Sequence, residues 1–221
     1  MNSQTFDFEV LDLGIVYYKN IIKDPEKVIL AIEDLDKKAN GNYTQCVRPW
    51  EAWINDSAGT NEVFCWKKYL PKVSDIPEND PYREEQLYIS STLNNALNST
   101  LSHYSNAVYP FAAKNVKSSE KMMQILKYEK AGFLPPHQDQ GVSTRVLSVL
   151  LYLNDDYEGG ELEFPHSKIK FKPEAGSVLF FPSNFLYVHM IHPVTKGPRY
   201  ALPNWYHNVK EEYARNSTGQ E

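Results

Sequence analysis

His137-Gln138-Asp139 sets an imidazole and a carboxylate two residues apart. On an extended chain such positions project to one face. The pair can therefore supply two ligands of a metal and leave other positions open. H-x-D is common by chance, so its meaning depends on a third ligand. Two candidates lie in Tyr187-Val188-His189-Met190-Ile191-His192-Pro193-Val194. Three apart on a strand, His189 and His192 face opposite sides, and His192 borders Pro193, where a strand would end. Spacing alone prefers neither. Downstream, Arg199 opens an apolar strand. A buried arginine needs an anionic partner. That partner is either a neighbouring Asp or Glu or the carboxylate of a small acid. A small acid would be held by two parallel charge-assisted hydrogen bonds, each contributing roughly 1.5–3 kcal/mol.

The elements that must position these groups divide the chain in two. Residues 8 to 22, with Ile15-Val16-Tyr17-Tyr18, read as a strand leading into a turn. Asp24-Pro25-Glu26 reads as a helix start, a capping acid with Pro at the first helical position. Val28, Ile29, Ile32 and Leu35 keep helical spacing to about Lys38, and Asn40-Gly41-Asn42 ends the run. Residues 43 to 80 are irregular. Trp50, Trp53 and Trp66 read as an aromatic cluster closing one side of the core, or, with Arg48, as part of a substrate groove. Asp80-Pro81 opens a second helix over Tyr82 to Ser105, with Leu87, Ile89, Leu93, Leu97 and Leu101 as its apolar stripe. Residues 117 to 121 read as an exposed loop. From Met122 short strands alternate with turns: 122–128, 145–153, 161–164, 169–171, 177–181, 187–191 and 199–207. Asp155 to Gly160 and Pro173-Glu174-Ala175-Gly176 are turn signals. Helices first and antiparallel strands after them predict an α+β fold with a closed or sandwiched β core. No repeat or linker interrupts the chain, so one domain is expected over 1–221. Residues 1–120 would be helical support and substrate groove, and 122–208 the catalytic core.

Composition narrows the function classes. The 221 residues are 42% hydrophobic, enough for one sizeable core. The formal net charge of -5 offers no global attraction to a phosphate backbone or anionic lipid. No apolar run approaches the roughly 20 residues that span a bilayer, and Met1 to Asp7 carries no signal-peptide pattern. Cys46 and Cys65 read as free thiols in a reducing compartment. A cytoplasmic protein with no membrane or nucleic-acid partner is expected, and the sequence does not specify its oligomeric state.

Five blocks in order carry a resemblance. They are Tyr128 with Pro136-His137-Gln138-Asp139; Tyr152-Leu153-Asn154; Gly159 to Pro165; Pro173 to Pro182; and His189 with Pro193 to Tyr200 and Trp205. Together they resemble the prolyl 4-hydroxylase-type Fe(II)/2-oxoglutarate dioxygenases over residues 122 to 208. The resemblance implies a double-stranded β-helix (jelly-roll) core with N-terminal supporting helices. It implies Fe(II) as cofactor, with 2-oxoglutarate and O2 as co-substrates and a reductant such as ascorbate. It places the metal ligands at His137, Asp139 and His189 and the oxoglutarate clamp at Arg199. Tyr152 corresponds to a hydroxyl that helps bind the far carboxylate, Tyr128 to a tyrosine near iron and co-substrate, and Trp205 to an aromatic lining of that pocket. Arg145 corresponds to a substrate contact in some relatives. Two histidines and one carboxylate leave three adjacent positions, two for the keto acid and one for O2. The implied reaction converts oxoglutarate to succinate and CO2 and hydroxylates an unactivated C–H. The expected substrate is a prolyl group of a peptide or protein. The intact Asp139 favours hydroxylation over halogenation, since halogenating relatives lack that carboxylate. Two alternatives accompany this reading: the same chemistry on a small molecule or lipid, and a metal-binding jelly-roll module without turnover. The branch that repairs nucleic acid carries a second downstream arginine that this chain lacks. Gln138 is expected to turn away from the metal.

Overall fold

The computed structural model describes residues 5–55, 62–110, 116–118, 122–141 and 144–208. Two strands, β1 (Asp7–Asp12) and β2 (Ile15–Lys19), form a hairpin turned at Leu13-Gly14. The expected single strand over 8–22 is thus two. Helix α1 (Pro25–Ala39) follows, with Pro in its first turn and Asn40 in the left-handed region at its end. The Asp24 side chain makes no cap bond; its carboxylate accepts from Lys27 at 2.8 Å instead.

The irregular region resolves into a second hairpin, β3 (Glu51–Asn55) and β4 (Glu62–Pro71). Helix α2 (Arg83–His103) continues as a π turn over Tyr104–Val108. Then come β5 (Val116–Ser118), β6 (Met122–Tyr128), β7 (Leu134–His137), β8 (Arg145–Tyr152), β9 (Glu158–Gly159), β10 (Leu162–Phe164), β11 (Ile169–Phe171), β12 (Val178–Pro182), β13 (His189–Ile191), β14 (Val194–Lys196) and β15 (Arg199–Asn208). The loop expected over 117–121 is a strand as far as Ser118, and residues 119–121 lie outside the described residues. Tyr187 ends a short 3-10 turn over Phe185–Tyr187, so the strand carrying His189 begins later than expected.

A nine-stranded sheet runs β1-β2-β12-β8-β15-β6-β4-β3, with β5 on β15, and a smaller sheet runs β11-β10-β13-β7. This is the double-stranded β-helix. The N-terminal half extends the larger sheet at both ends with its own four strands, besides supplying the helices. Strands β2, β8 and β12 are buried on both faces, which is why they read as nearly continuous apolar runs. On the outer face, Val16, Tyr18, Val149, Leu151, Phe180 and Leu202 pack with α1 and α2 residues such as Ile32, Leu35 and Leu93. On the inner face, Tyr17, Tyr152, Leu179 and Phe181 meet Leu162, Phe164 and Ile191 of the smaller sheet. The site lies between the two sheets, where this inner core opens.

Candidate metal and co-substrate site

Strand pairing brings the first two ligands together. His137 ends β7, and His189, which begins β13, is its register partner. Their rings lie 4.3 Å apart between centroids. Each ring donates through Nδ1 to a backbone carbonyl: His137 to Pro135 at 2.9 Å and His189 to Tyr187 at 3.1 Å. A carbonyl only accepts, so these bonds hold the proton on Nδ1 and leave both Nε2 lone pairs for a metal. Burial pushes the His189 pKa down to about 4; Asp139 opposes the shift and His137 adds to it. His189 is therefore a neutral ligand at physiological pH.

Asp139 sits past the end of β7, on a bend. Its carboxylate oxygens lie 3.7 Å from His137 Nε2 and 3.8 Å from His189 Nε2. One atom from each of the three residues falls in a cluster within 4.8 Å. The bend, not strand alternation, aims the carboxylate. As a consequence Gln138, expected to turn away, also borders the cavity and is exposed there. Ser148, on β8, donates to Asp139 Oδ2 at 2.6 Å. Its one proton is thereby used, so the Ser183 hydroxyl, 2.8 Å away, donates to Ser148. His192 lies elsewhere: its Nε2 is 2.6 Å from Glu163.

The other end of the cavity belongs to the larger sheet. Arg199 opens β15 opposite Tyr128 of β6. Period-two alternation then sends Arg199, Ala201, Pro203 and Trp205 to the cavity face. Arg199 is 1% exposed. Its guanidinium carbon lies 4.9 Å from the Tyr128 ring, 5.3 Å from Tyr152 and 6.0 Å from Tyr157. Among the described residues no carboxylate pairs with it, and its Nε and Nη2 lack hydrogen-bond partners, as do the hydroxyls of Tyr152 and Tyr157. Burial raises the pKa of all three tyrosines, keeping them protonated as donors. A buried cation among tyrosines, with no acidic partner among the described residues, is costly and calls for an anion from outside.

Arg145 lies on the same cavity. Its Nη1 donates to the Asp139 carbonyl at 3.4 Å, and its guanidinium stacks 3.8 Å from the Trp205 ring. Trp53 of β3 and Lys67 of β4 complete the wall on the hairpin side. Of the aromatic cluster, Trp53 alone reaches the cavity. Trp50 packs against Tyr200 on the helix side, and Arg48 is exposed near Tyr69. The cavity holds about 290 Å³, enough for a small acid and part of a second molecule.

Sequence reading missed Tyr157, Ser148 and Lys67. Tyr157 sits in a segment read only as a turn. Ser148 was the one polar residue in an apolar run, a signal that could have marked it, because a buried hydroxyl needs a partner. Lys67 belonged to a stretch with no readable period.

These donors fit the groups expected here. Two imidazole nitrogens and a carboxylate suit a ferrous ion, and the unpaired Arg199 with its hydroxyls suits the distal carboxylate of a keto diacid.

Residues 123–207 match the model of the 2OG-Fe(II) oxygenase superfamily. Human prolyl 3-hydroxylase 2 is 40% identical over 67 residues, covering 28% of this chain and 10% of that protein. The chain spans only 10% to 43% of the curated relatives it matches. Among solved structures, the 2OG complex of a viral collagen prolyl hydroxylase from Paramecium bursaria Chlorella virus-1 superposes with a TM-score of 0.59. It has 15% identity and covers 89% of this chain and 97% of its own. A Trichoplax adhaerens prolyl hydroxylase, in complex with a peptide fragment of hypoxia inducible factor, gives 0.59 at 19% identity, covering 88% and 84%. At these identities the solved structures establish the fold.

Proposed function

We propose that this chain, whose residues 123–207 match the model of the 2OG-Fe(II) oxygenase superfamily, is such an oxygenase and hydroxylates a prolyl group of a peptide or protein. Fe(II), 2-oxoglutarate and O2 together supply the oxidising equivalent for an unactivated C–H, with succinate and CO2 as co-products. His137 and His189 hold the metal through Nε2, and Asp139 holds it through its carboxylate. Ser148 and Ser183 keep that carboxylate oriented by a chain of two hydrogen bonds. Arg199 binds the far carboxylate of oxoglutarate, assisted by the hydroxyls of Tyr152 and Tyr157. Tyr128, its ring 4.9 Å from the Arg199 guanidinium, and Trp205 line the same cavity. Arg145, fixed over Trp205, faces the substrate. The buried tyrosines exclude water from the clamp, so its hydrogen bonds act at full strength.

The observation that carries this reading is one cavity joining a converged His-His-Asp cluster to a buried arginine with no acidic partner among the described residues. The prolyl substrate draws support from relatives named prolyl hydroxylases. Reading the chain as one domain draws support from β1–β4, which are hydrogen-bonded into the larger sheet. The two buried thiols are consistent with a reducing, cytoplasmic setting. A reductant such as ascorbate would keep the metal ferrous.

A prolyl-peptide library incubated with Fe(II), oxoglutarate and O2 tests the proposal. Peptides that gain one oxygen in step with succinate release are the expected result. Succinate release with no peptide modified would move the substrate to another class; no succinate under any condition would refute the reaction.

A further inference from the structure

Three cationic side chains line the cavity: Arg145, Arg199 and Lys67. Asp139 is the one carboxylate beside them among the described residues. Arg199 is assigned above to oxoglutarate and Asp139 to the metal, while Arg145 is engaged with the Asp139 carbonyl and Trp205. Lys67 remains unexplained.

Lys67 projects from β4 on the cavity side, in register with Leu126 of β6, which is itself in register with Ala201 of β15. Its ammonium rests 3.7 Å from the centre of the Trp53 ring. Burial lowers its pKa, opposed by Cys65 and Glu51. Glu51 is its cross-strand partner on β3, but that residue is exposed and no ion pair joins the two. Neighbouring Lys68 is a useful contrast. It points to the other face, is fully buried, and is satisfied by Asp36 at 2.7 Å and the Arg48 carbonyl at 2.8 Å. A lysine with only a solvating role would extend past the rim to water. Lys67 instead lies along Trp53, where a cation–aromatic contact offsets part of its desolvation and fixes the ammonium at one point on the wall.

We propose that Lys67 is a specificity-determining residue that binds a carboxylate of the substrate. The preferred substrates are therefore acidic, carrying a carboxylate close to the carbon that is hydroxylated. This rests on the oxygenase reading of the site and narrows its substrate class. Two sources offer that chemistry: an acidic side chain beside the target proline in a peptide, or the carboxylate of a free amino acid. Lys67 acts through binding and takes no part in the chemistry at the metal.

The test uses the full chain loaded with Zn(II) in place of iron and with oxoglutarate. Calorimetry measures binding of matched probes: prolyl peptides flanked by Asp or by Asn, and free L-proline or L-prolinamide. The carboxylate member of one pair should bind about tenfold or more tightly than its amide, the effect of one charge-assisted hydrogen bond. Lys67→Met should erase that preference by weakening the acid alone, and Lys67→Arg should retain most of it. With Fe(II), Lys67→Met should raise KM for the acidic substrate and leave kcat and KM for oxoglutarate unchanged. The proposal is overturned if neither carboxylate probe binds the wild-type chain, if Lys67→Met weakens acid and amide equally, or if oxoglutarate is the ligand whose affinity falls. Substrate-independent succinate formation reports separately on the oxygenase reading. Its presence alongside a failed preference rejects Lys67 alone, and the absence of succinate under every condition, with and without each probe, rejects the reaction.

Discussion

Both histidines of the cluster offer the same nitrogen for the same reason: a backbone carbonyl two residues earlier accepts a hydrogen bond from Nδ1–H. The carboxylate is held differently, by a buried hydroxyl relay from Ser183 through Ser148. Ser148→Ala should therefore weaken Fe(II) binding roughly 10–100-fold, with far-UV circular dichroism unchanged; unchanged metal affinity would show that Asp139 needs no support. The thiols supply an independent check on burial. Cys65 is pushed up to about 12 by desolvation, against the fields of Lys67 and Arg199, and Cys46 is raised by the same cause. Both are buried. At pH 8 neither should react with a thiol reagent in the native protein, and both should react in denaturant. Rapid native labelling of Cys65 would contradict the packing beside Tyr128. At this scale the sequence was informative where chemistry is rare, as in H-x-D and the arginine of an apolar strand. It offered only a lone hydroxyl in an apolar run at Ser148 and was silent at Lys67, whose role depends on what lies across the sheet.

Strand register converts sequence spacing into a site. The pairing of β7 with β13 sets His137 opposite His189, and the pairing of β6 with β15 sets Tyr128 opposite Arg199. Strands β6, β8 and β15 were legible because burial on one or both faces imposes an apolar pattern. The β3–β4 hairpin was not. It lies at the edge of the larger sheet, and its run of Trp, Lys and Tyr mixes cation–aromatic pairs with polar positions and hides the alternation. Strands β9 and β14 are too short for any period. They nevertheless position the clamp, since Val194 pairs with Gly159 five residues before Arg199. Gly159 has a φ of +72°, and a Cβ there would overlap the Pro193 carbonyl oxygen; at Gly160 it would crowd Arg199 Cδ at 3.0 Å. Gly159→Ala should cost at least ~1–2 kcal/mol from left-handed strain alone, read as a lower thermal midpoint together with weaker oxoglutarate binding. An unchanged midpoint would mean this turn is not built as described.

Across the molecule, two layers divide the labour. The inner core between the sheets forms the site, while α1 and α2 cover the outer face of the larger sheet. Polar anchors tie α1 to that face: Lys68 bonds Asp36, and Glu33 accepts from Tyr200 at 2.8 Å and Lys127 at 3.4 Å. Removing only the acid leaves a buried ammonium behind. Asp36→Ala should therefore destabilise by up to roughly 3 kcal/mol, and by more than Lys68→Met, which replaces the cation with an apolar chain of similar volume. Asp36 is partly exposed, so solvent reduces the penalty. Denaturant unfolding of both variants decides the order, and the reverse order would place the α1 anchor elsewhere. The helices were read from their apolar spacing. The participation of β1–β4 in the larger sheet was not, because β4 pairs with β6 about 50 to 60 residues on and β2 with β12 about 160 residues on, and partners that distant leave no local signature.

The proposed function requires one cavity that binds a ferrous ion at His137, Asp139 and His189 and a keto diacid between that ion and Arg199. Anaerobic titration of the wild-type chain with Fe(II) and 2-oxoglutarate measures it most directly. The expected result is a weak visible charge-transfer band that saturates at one equivalent of each. His189→Ala should give no band, and Arg199→Met a band that forms only at oxoglutarate concentrations at least about tenfold higher, given the loss of a bidentate pair. No band in the wild-type chain, or one unaffected by His189→Ala, would contradict it.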